Sequence, residues 1–157
     1  RCKTAALMAA ACRCGAVLGG VDAEGEAALE GFGLELGMAF QFVDDLLDYA
    51  GSEEEFGKAQ GGDLSEGKLT LPLLQALRRA EPEERSSIQG IIARENKSSA
   101  DFQRVFSFIE RHDGFGAARN SARQRVEEAK NRLRIFADSP EKKELLDLAD
   151  FLMERRC

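Results

Sequence analysis

Hydrophobic residues recur three and four positions apart along most of this chain, and the polar residues between them often mark helix ends. Spacing of this kind predicts amphipathic or buried α-helices. The pattern predicts helices over residues 3–18, 22–50, 70–80, 82–94, 99–112, 115–137 and from 139 toward the C-terminus. Asp22, Thr70 and Ser139 stand where N-caps are expected, and Pro140 occupies a first helical position. The pattern therefore predicts an all-α fold.

Two features interrupt this regular pattern. Residues 51–69 are polar and contain five glycines, and we interpret them as a loop. Long polar loops within compact domains are often functional. Gly33 and Gly37 lie four residues apart inside the second predicted helix. They would let another backbone or a ligand approach closely, and close helix packing is the favoured interpretation.

Composition narrows the class of protein. The 157 residues suffice for one domain with its own core, and we predict a single all-helical domain, or domain half, over residues 1–157. The formal net charge of −6 argues against a general nucleic-acid surface. Four cysteines without a metal-site spacing favour reduced packing residues and an intracellular compartment. The sequence has neither an apolar run long enough for a transmembrane helix nor a visible signal peptide.

Three carboxylates lie within the apolar pattern near the end of the second predicted helix. At 3.6 residues per turn, Asp44 and Asp48 lie one above the other, with Asp45 beside them. Like charges at this spacing repel, and the negative end of the helix dipole adds to the cost. A divalent cation would remove both penalties. Because the donors are oxygen atoms with no His or Cys nearby, Mg²⁺ is favoured over zinc.

Lysines on both sides of this acidic segment suggest an anionic ligand. Lys58 and Lys68 lie in the polar loop that follows it, and Lys3 lies near the start of the chain. Each lysine alone is typical of a solvated surface. Together with bound Mg²⁺ they suit a diphosphate, because metal ions bridge its oxygens while lysines neutralise the remaining charge.

Two motifs in this region resemble those of a known family. The first is Phe40-Gln41-x-x-Asp44-Asp45-x-x-Asp48-Tyr49. The second is Gly57-Lys58-x-x-Gly61-x-Asp63-Leu64-x-Glu66-Gly67-Lys68-x-Thr70-Leu71-Pro72. Together with Lys3-Thr4, they resemble the trans-type polyprenyl diphosphate synthases. The resemblance is specific over residues 1–72, the metal and diphosphate region, and residues 73–157 are similar to the C-terminal helices of the family. The implied fold is the C-terminal portion of an isoprenoid-synthase-like helical bundle.

The resemblance implies that an allylic diphosphate ionises and is attacked by the double bond of isopentenyl diphosphate. Asp44 would be a direct Mg²⁺ ligand. Asp45 and Asp48 would bind the metal directly, bind it through a water molecule, or accept hydrogen bonds from groups that bind it. Contacts to the allylic diphosphate are implied for Lys3 and Lys58, with assistance from Lys68. The remaining implied site residues are Thr4 and Gln41, near the reacting carbons and the cation, and Phe40, as a wall of the hydrocarbon site.

The family has two aspartate-rich motifs, and the first lies upstream of its Lys-Thr pair. This chain contains one such motif, so the resemblance implies half of an active site. We expect that this chain alone does not turn over substrate. We also expect that the first motif is carried by a further segment or by another chain in a homo- or hetero-oligomer. The loop sequence is more similar to the quinone-tail enzymes of the family than to its farnesyl enzymes. A quinone-tail enzyme would suit a mitochondrion or other organelle, with the cytoplasm as the alternative.

In this family the length of the product is set mostly by residues just before the first acidic motif. The sequence therefore does not predict the product length.

Three alternatives are open at this stage. The chain could be an incomplete subunit with a structural or regulatory role in a larger assembly. A terpene cyclase of related fold would need a different second metal motif, which Asn120-Ser121 and the residues after it do not match. A plain helical interaction module would not explain three acids in one apolar helix turn. His112, at a predicted helix C-terminus, is interpreted as structural, and Phe102, Phe106 and Ile109 as core.

Overall fold

The computed structural model describes residues 3–50 and 62–155, and every regular element within them is helical. The α-helices are α1 (Thr4–Gly19), α2 (Ala23–Ala50), α3 (Gly62–Ser65), α4 (Leu71–Arg79), α5 (Pro82–Ile92), α6 (Ser99–Arg111), α7 (Gly114–Arg132) and α8 (Pro140–Glu154). A 3₁₀ turn at Leu133–Ile135 follows α7. The predicted all-α class is confirmed.

Of the three N-caps predicted from sequence, two make their capping hydrogen bonds. The Asp22 carboxylate accepts from the Gly25 N–H at 2.8 Å, and the Ser139 hydroxyl accepts from the Lys142 N–H, so both predicted caps are confirmed. Thr70 occupies the N-cap position of α4, but its side chain makes no capping hydrogen bond. That part of the prediction was wrong, because the hydroxyl is engaged by another helix.

Two predicted boundaries also differ from the structure. The segment interpreted as a loop contains the helical turn α3, whose Leu64 is only 1% exposed. Burial of this leucine gives the turn an apolar anchor that a polar sequence pattern does not reveal. The predicted helix over 115–137 stops being α-helical at Arg132, where the chain tightens into the 3₁₀ turn.

The described residues fall into two compact units, and the first consists of residues 3–43 and 120–155. In this unit α1 packs tightly on α2. A Cβ placed on Gly33 would lie 2.5 Å from the Met8 carbonyl oxygen, and one on Gly37 would lie 2.5 Å from the Cα of Ala5. The two glycines therefore serve close helix packing, as the sequence favoured.

The second unit consists of residues 44–50 and 62–119. Helices α4 and α6 pack together within it. Its apolar core contains Tyr49, Leu64, Leu73, Ala76, Leu77, Ala80, Ile88, Ile91, Val105, Phe108 and Ile109, with Phe102 and Phe106 packed against it. The prediction that Phe102, Phe106 and Ile109 pack in the core is therefore confirmed. This core also fixes the end of α2, where the acidic residues lie, because Tyr49 belongs to it.

His112 takes the structural place expected of it. It is the C-cap residue of α6, and its Nε2 lies 2.8 Å from a carboxylate oxygen of Glu84. None of the described helices combines the length and apolar character needed to cross a bilayer. The prediction of a single domain over the whole chain stays a prediction.

Candidate active site

The three predicted metal ligands lie in the last two turns of α2. Asp44, Asp45 and Asp48 are each half-buried, while the neighbouring Val43 and Leu46 are buried in apolar surroundings. The helix ends at Ala50, so all three carboxylates lie near its negative end. Packing of the apolar neighbours thus holds the acids at a partly open surface.

Two of these carboxylates accept backbone hydrogen bonds from the segment that follows. The Leu71 N–H donates to Oδ2 of Asp45 at 2.8 Å. The Asp63 N–H donates to Asp48, at 3.2 Å from Oδ2 and 3.5 Å from Oδ1. These donors are helix-start N–H groups, which have no partner within their own helices. Each pairing satisfies a backbone donor and stabilises a carboxylate.

A buried hydroxyl pair lies beside these contacts. The Tyr49 and Thr70 hydroxyl oxygens are 2.6 Å apart, and the two residues are only 7% and 3% exposed. Burial raises the pKa of Tyr49, and the negative charges of nearby aspartates add to the rise, so the phenol stays protonated. The sequence pattern predicts Thr70 as a helix cap and no role for Tyr49. A lone tyrosine directly after the acidic residues was the available signal.

Lys68 lies in the same unit, on the segment between α3 and α4. Its Nζ is 2.8 Å from Oδ1 of Asp63 and 2.7 Å from Oε2 of Glu66. Hydrogen bonds to Asp63 and then Glu66 raise the pKa of Lys68, and like any exposed lysine the amine is cationic at neutral pH. Its side chain is 56% exposed and available to a ligand. The acidic partners Asp63 and Glu66 were not singled out from sequence as contacts of this lysine.

The predicted Mg²⁺ site has oxygen donors, but it is not a protein-only cage. Within residues 3–50 and 62–155, no three carboxylate, imidazole or thiol groups converge closely enough to hold a metal ion. Mg²⁺ is typically held through one or two carboxylates, with waters and substrate phosphates completing its octahedron. The oxygen donors at the end of α2 would suit a divalent cation held in this way. The metal roles of Asp44, Asp45 and Asp48 stay predictions.

Four other predicted residues belong to the first unit. Lys3 is the exposed N-cap residue of α1, and Thr4 is the first residue of that helix. The close approach of Ala5 to Gly37 brings this helix start to the turn of α2 that precedes Gln41. Lys58, the other predicted diphosphate-binding lysine, lies outside the described residues.

Phe40 lines an apolar pocket of about 230 Å³ in the first unit. The pocket is formed by Met8, Leu36, Phe40, Leu148, Phe151, Leu152 and Arg155. The Arg155 guanidinium lies 4.9 Å from the centre of the Phe40 ring, within the range of a cation–π contact. The pocket offers apolar contact area with one cationic edge, which is compatible with the hydrocarbon-wall role predicted for Phe40.

Comparisons with known proteins identify the family of this chain. The sequence model of the family described as "Polyprenyl synthetase" matches residues 1–109. The chain is 40% identical to a short chain isoprenyl diphosphate synthase of Methanothermobacter thermautotrophicus, covering 98% of this chain and 46% of that protein. It is 36% identical to the octaprenyl diphosphate synthase of Escherichia coli, again over 98% of this chain, and covers 47% of that protein.

A solved structure shows the same fold. The chain is similar to a polyprenyl synthase from Caulobacter crescentus CB15, with a TM-score of 0.87 and 42% identity. The match covers 99% of this chain and 47% of that one, whose crystal contains calcium and isoprenyl diphosphate. The chain therefore spans about half the length of the relatives it matches.

Proposed function

Because this chain belongs to the polyprenyl synthetase family, we propose that it supplies the diphosphate-binding half-site of a trans-prenyltransferase. The observation that carries the proposal is the contact network at the end of α2. The three half-buried carboxylates lie in one unit with the cationic Lys68, and Asp45 and Asp48 hold the segment that bears it. A site of this kind binds a metal-complexed anion through oxygen donors on one side and an ammonium group on the other.

The proposed reaction joins an allylic diphosphate to isopentenyl diphosphate. The carbon–oxygen bond of the allylic substrate breaks, and its electron pair leaves with the diphosphate. The double bond of isopentenyl diphosphate supplies the electrons of the new carbon–carbon bond. The adduct then loses a proton, which the released diphosphate accepts, so no separate general base is needed. The main demand on the protein is to stabilise the departing diphosphate away from water.

Individual residues divide this work. Asp44, Asp45 and Asp48 would hold Mg²⁺, which when bound neutralises charge that develops on the leaving diphosphate. Lys68 is a donor to the diphosphate oxygens, and its present partners Asp63 and Glu66 hold the amine in place until a ligand arrives. Because its stem is long and its side chain largely exposed, exchanging carboxylate partners for phosphate oxygens requires rotation of its side-chain bonds alone.

The remaining predicted residues keep the roles that membership of the family implies for them. Lys3 and Lys58 contact the allylic diphosphate, while Thr4 and Gln41 lie near the reacting carbons. Phe40 contacts the hydrocarbon chain, and the apolar pocket that it lines supports this role. The chain spans under half of its relatives, so we assign the first aspartate-rich motif to another segment or subunit that assembles with it.

The test is a prenyl-transfer assay with Mg²⁺, an allylic diphosphate and labelled isopentenyl diphosphate. The full-length protein, with any subunit that co-purifies, is expected to form a longer prenyl diphosphate, and the 157-residue chain alone is expected to form none. Asp44→Asn should lower product formation at least tenfold if it removes an interaction worth about 1.4 kcal/mol or more in the transition state. Lys68→Gln should lower it by a smaller factor, because its role is shared with other lysines.

Ser65→Ala serves as the matched control. Its hydroxyl lies on α3 and donates to the Gly62 carbonyl, so the variant alters the same region without touching the proposed ligands. Equal activity of Asp44→Asn and Ser65→Ala would overturn the assignment of the acidic motif. Assembly into a larger complex, with neither prenyl transfer nor Mg²⁺-dependent diphosphate binding, would support the structural-subunit alternative instead.

A further inference from the structure

The segment that carries Lys68 is fastened to the end of α2 at both of its ends. At the first end, Asp48 accepts the Asp63 N–H. At the other end, Asp45 accepts a hydrogen bond from the Leu71 N–H, and the hydroxyl groups of Tyr49 and Thr70 are hydrogen-bonded to each other. All of these contacts lie within the second unit.

The segment between these fastenings is itself tightly specified. The Lys68 N–H donates to the Asp63 carbonyl at 2.9 Å, and the Gly67 N–H donates to that of Leu64 at 3.0 Å. Gly67 has a φ of 74°, a left-handed conformation that glycine adopts without strain. The Leu64 side chain is fixed in the core. The backbone position of Lys68 therefore follows from where residues 63 and 70 are held.

The fastenings differ in how a metal would affect them. Asp45 and Asp48 are predicted metal ligands, so a cation competes with the backbone N–H groups for their oxygens. Tyr49 and Thr70 have no such second use, because a buried phenol and an aliphatic hydroxyl are poor partners for Mg²⁺ compared with carboxylates. Their hydrogen bond is also largely shielded from water.

We propose that Tyr49 and Thr70 are positioning residues that keep Lys68 in register with the acidic end of α2 when a metal diphosphate binds. The proposal rests on the proposed function, specifically on Lys68 as a diphosphate donor. Burial of the core does not by itself require the pair, since Phe and Val of similar shape would fill the same space. The hydroxyls add a directional bond between two segments 21 residues apart.

The test is calorimetric titration of the full-length protein with inorganic diphosphate in the presence of Mg²⁺. The double variant Tyr49→Phe with Thr70→Val removes both hydroxyls and leaves no unpaired buried oxygen, so it should fold with nearly unchanged stability. Its diphosphate affinity should fall about fivefold, the equivalent of losing one net hydrogen bond of about 1 kcal/mol. The Ser65→Ala control should bind as the parent does.

A Lys68→Gln background shows whether the pair acts through the lysine. The double variant should have little additional effect there, because the group that it positions is already gone. If the double variant binds diphosphate like the parent, or loses the same factor without Lys68, the positioning role is wrong. If Lys68→Gln alone leaves affinity unchanged, the proposed role of Lys68 fails instead. Should the double variant not fold, Thr70→Ser and Thr70→Val decide the matter. Serine keeps the hydroxyl and should keep the affinity, and equal affinities would overturn the proposal.

Discussion

The contact between α1 and α2 gives the sharpest stability prediction in this chain. Replacing Gly33 by alanine places a methyl group 2.5 Å from the Met8 carbonyl oxygen, 2.8 Å from its carbonyl carbon and 2.9 Å from the Ala9 Cα. All three neighbours are backbone atoms of α1. No side chain can rotate away to make room, so the two helices must separate.

The magnitude follows from two opposing effects. Alanine is favoured over glycine within a helix by about 0.8–1 kcal/mol. Overpacking a close contact typically costs about 1–3 kcal/mol. Gly33→Ala should therefore destabilise the protein by a net of about 0–2 kcal/mol. Gly15→Ala, on α1 with nothing within 4 Å of the new Cβ, keeps the favourable effect alone and should stabilise by about 1 kcal/mol.

Urea unfolding followed by far-ultraviolet circular dichroism measures both variants against the parent. The decisive quantity is the difference in unfolding free energy between the two variants, expected to be about 1–3 kcal/mol. In a thermal melt each kcal/mol would correspond to about 2–4 °C in Tm. Helix propensity affects both variants alike, so that difference isolates the packing cost. Equal stabilisation by the two substitutions would show that α1 and α2 do not approach as closely as the structure has them.

Three further predictions concern polar contacts. Arg125→Met leaves the Glu35 carboxylate, whose side chain is 10% exposed, without its 2.9 Å ion pair, and should destabilise by about 1–3 kcal/mol in urea unfolding. Hydrogen bonds from Ser98 and the Arg94 charge lower the pKa of Asp101, so its stabilisation is present above the unfolded pKa and is lost as pH falls through the folded one. Asp101→Asn should therefore flatten the acid limb of a stability–pH profile. Asp45→Asn weakens the acceptor for a helix-start N–H and should cost about 1 kcal/mol in metal-free buffer.

The first two of these predictions have controls in the chain, and the third has a direct contrary outcome. Glu128→Gln removes the exposed partner of Arg125 and should change stability by less than about 1 kcal/mol. Asp138→Asn alters an exposed aspartate paired with Lys142, and comparison with Asp101→Asn separates a general charge effect from loss of the capping box. If Asp45→Asn were as stable as the parent without metal, the hydrogen bond to Leu71 would not hold the start of α4.

Most helices could be predicted because their signals are local. Asp22 and Ser139 cap their helices with their own side chains, and the spacing of apolar residues decides which face is buried. The turn α3 could not be predicted in this way. Its four residues are too few to show helical periodicity, and its formation depends on burial of Leu64 among residues distant in sequence.

In the candidate site too, local features could be predicted from the sequence and tertiary contacts could not. Residue types and their spacing in α2 suffice to bring Asp44, Asp45 and Asp48 to one helix end, because a continuous helix fixes their spacing. The partners of these residues depend on tertiary structure. Thr70 hydrogen-bonds Tyr49 rather than its own helix, and Lys68 lies between two carboxylates. Both contacts depend on where residues 63–71 are held, and the periodicity of the sequence does not encode that position.

These partners change the electrostatic argument for a metal. Repulsion among three carboxylates suggested that a cation must compensate them. The N–H groups of Leu71 and Asp63 already stabilise two of the three, so the ligand-free fold does not depend on a metal at those positions. A stronger requirement comes from the diphosphate that is proposed as the ligand. A diphosphate brought to an acidic helix end is repelled, and Lys68 offers one positive charge that two carboxylates already share. A divalent cation that binds together with the diphosphate removes this repulsion at the moment it arises.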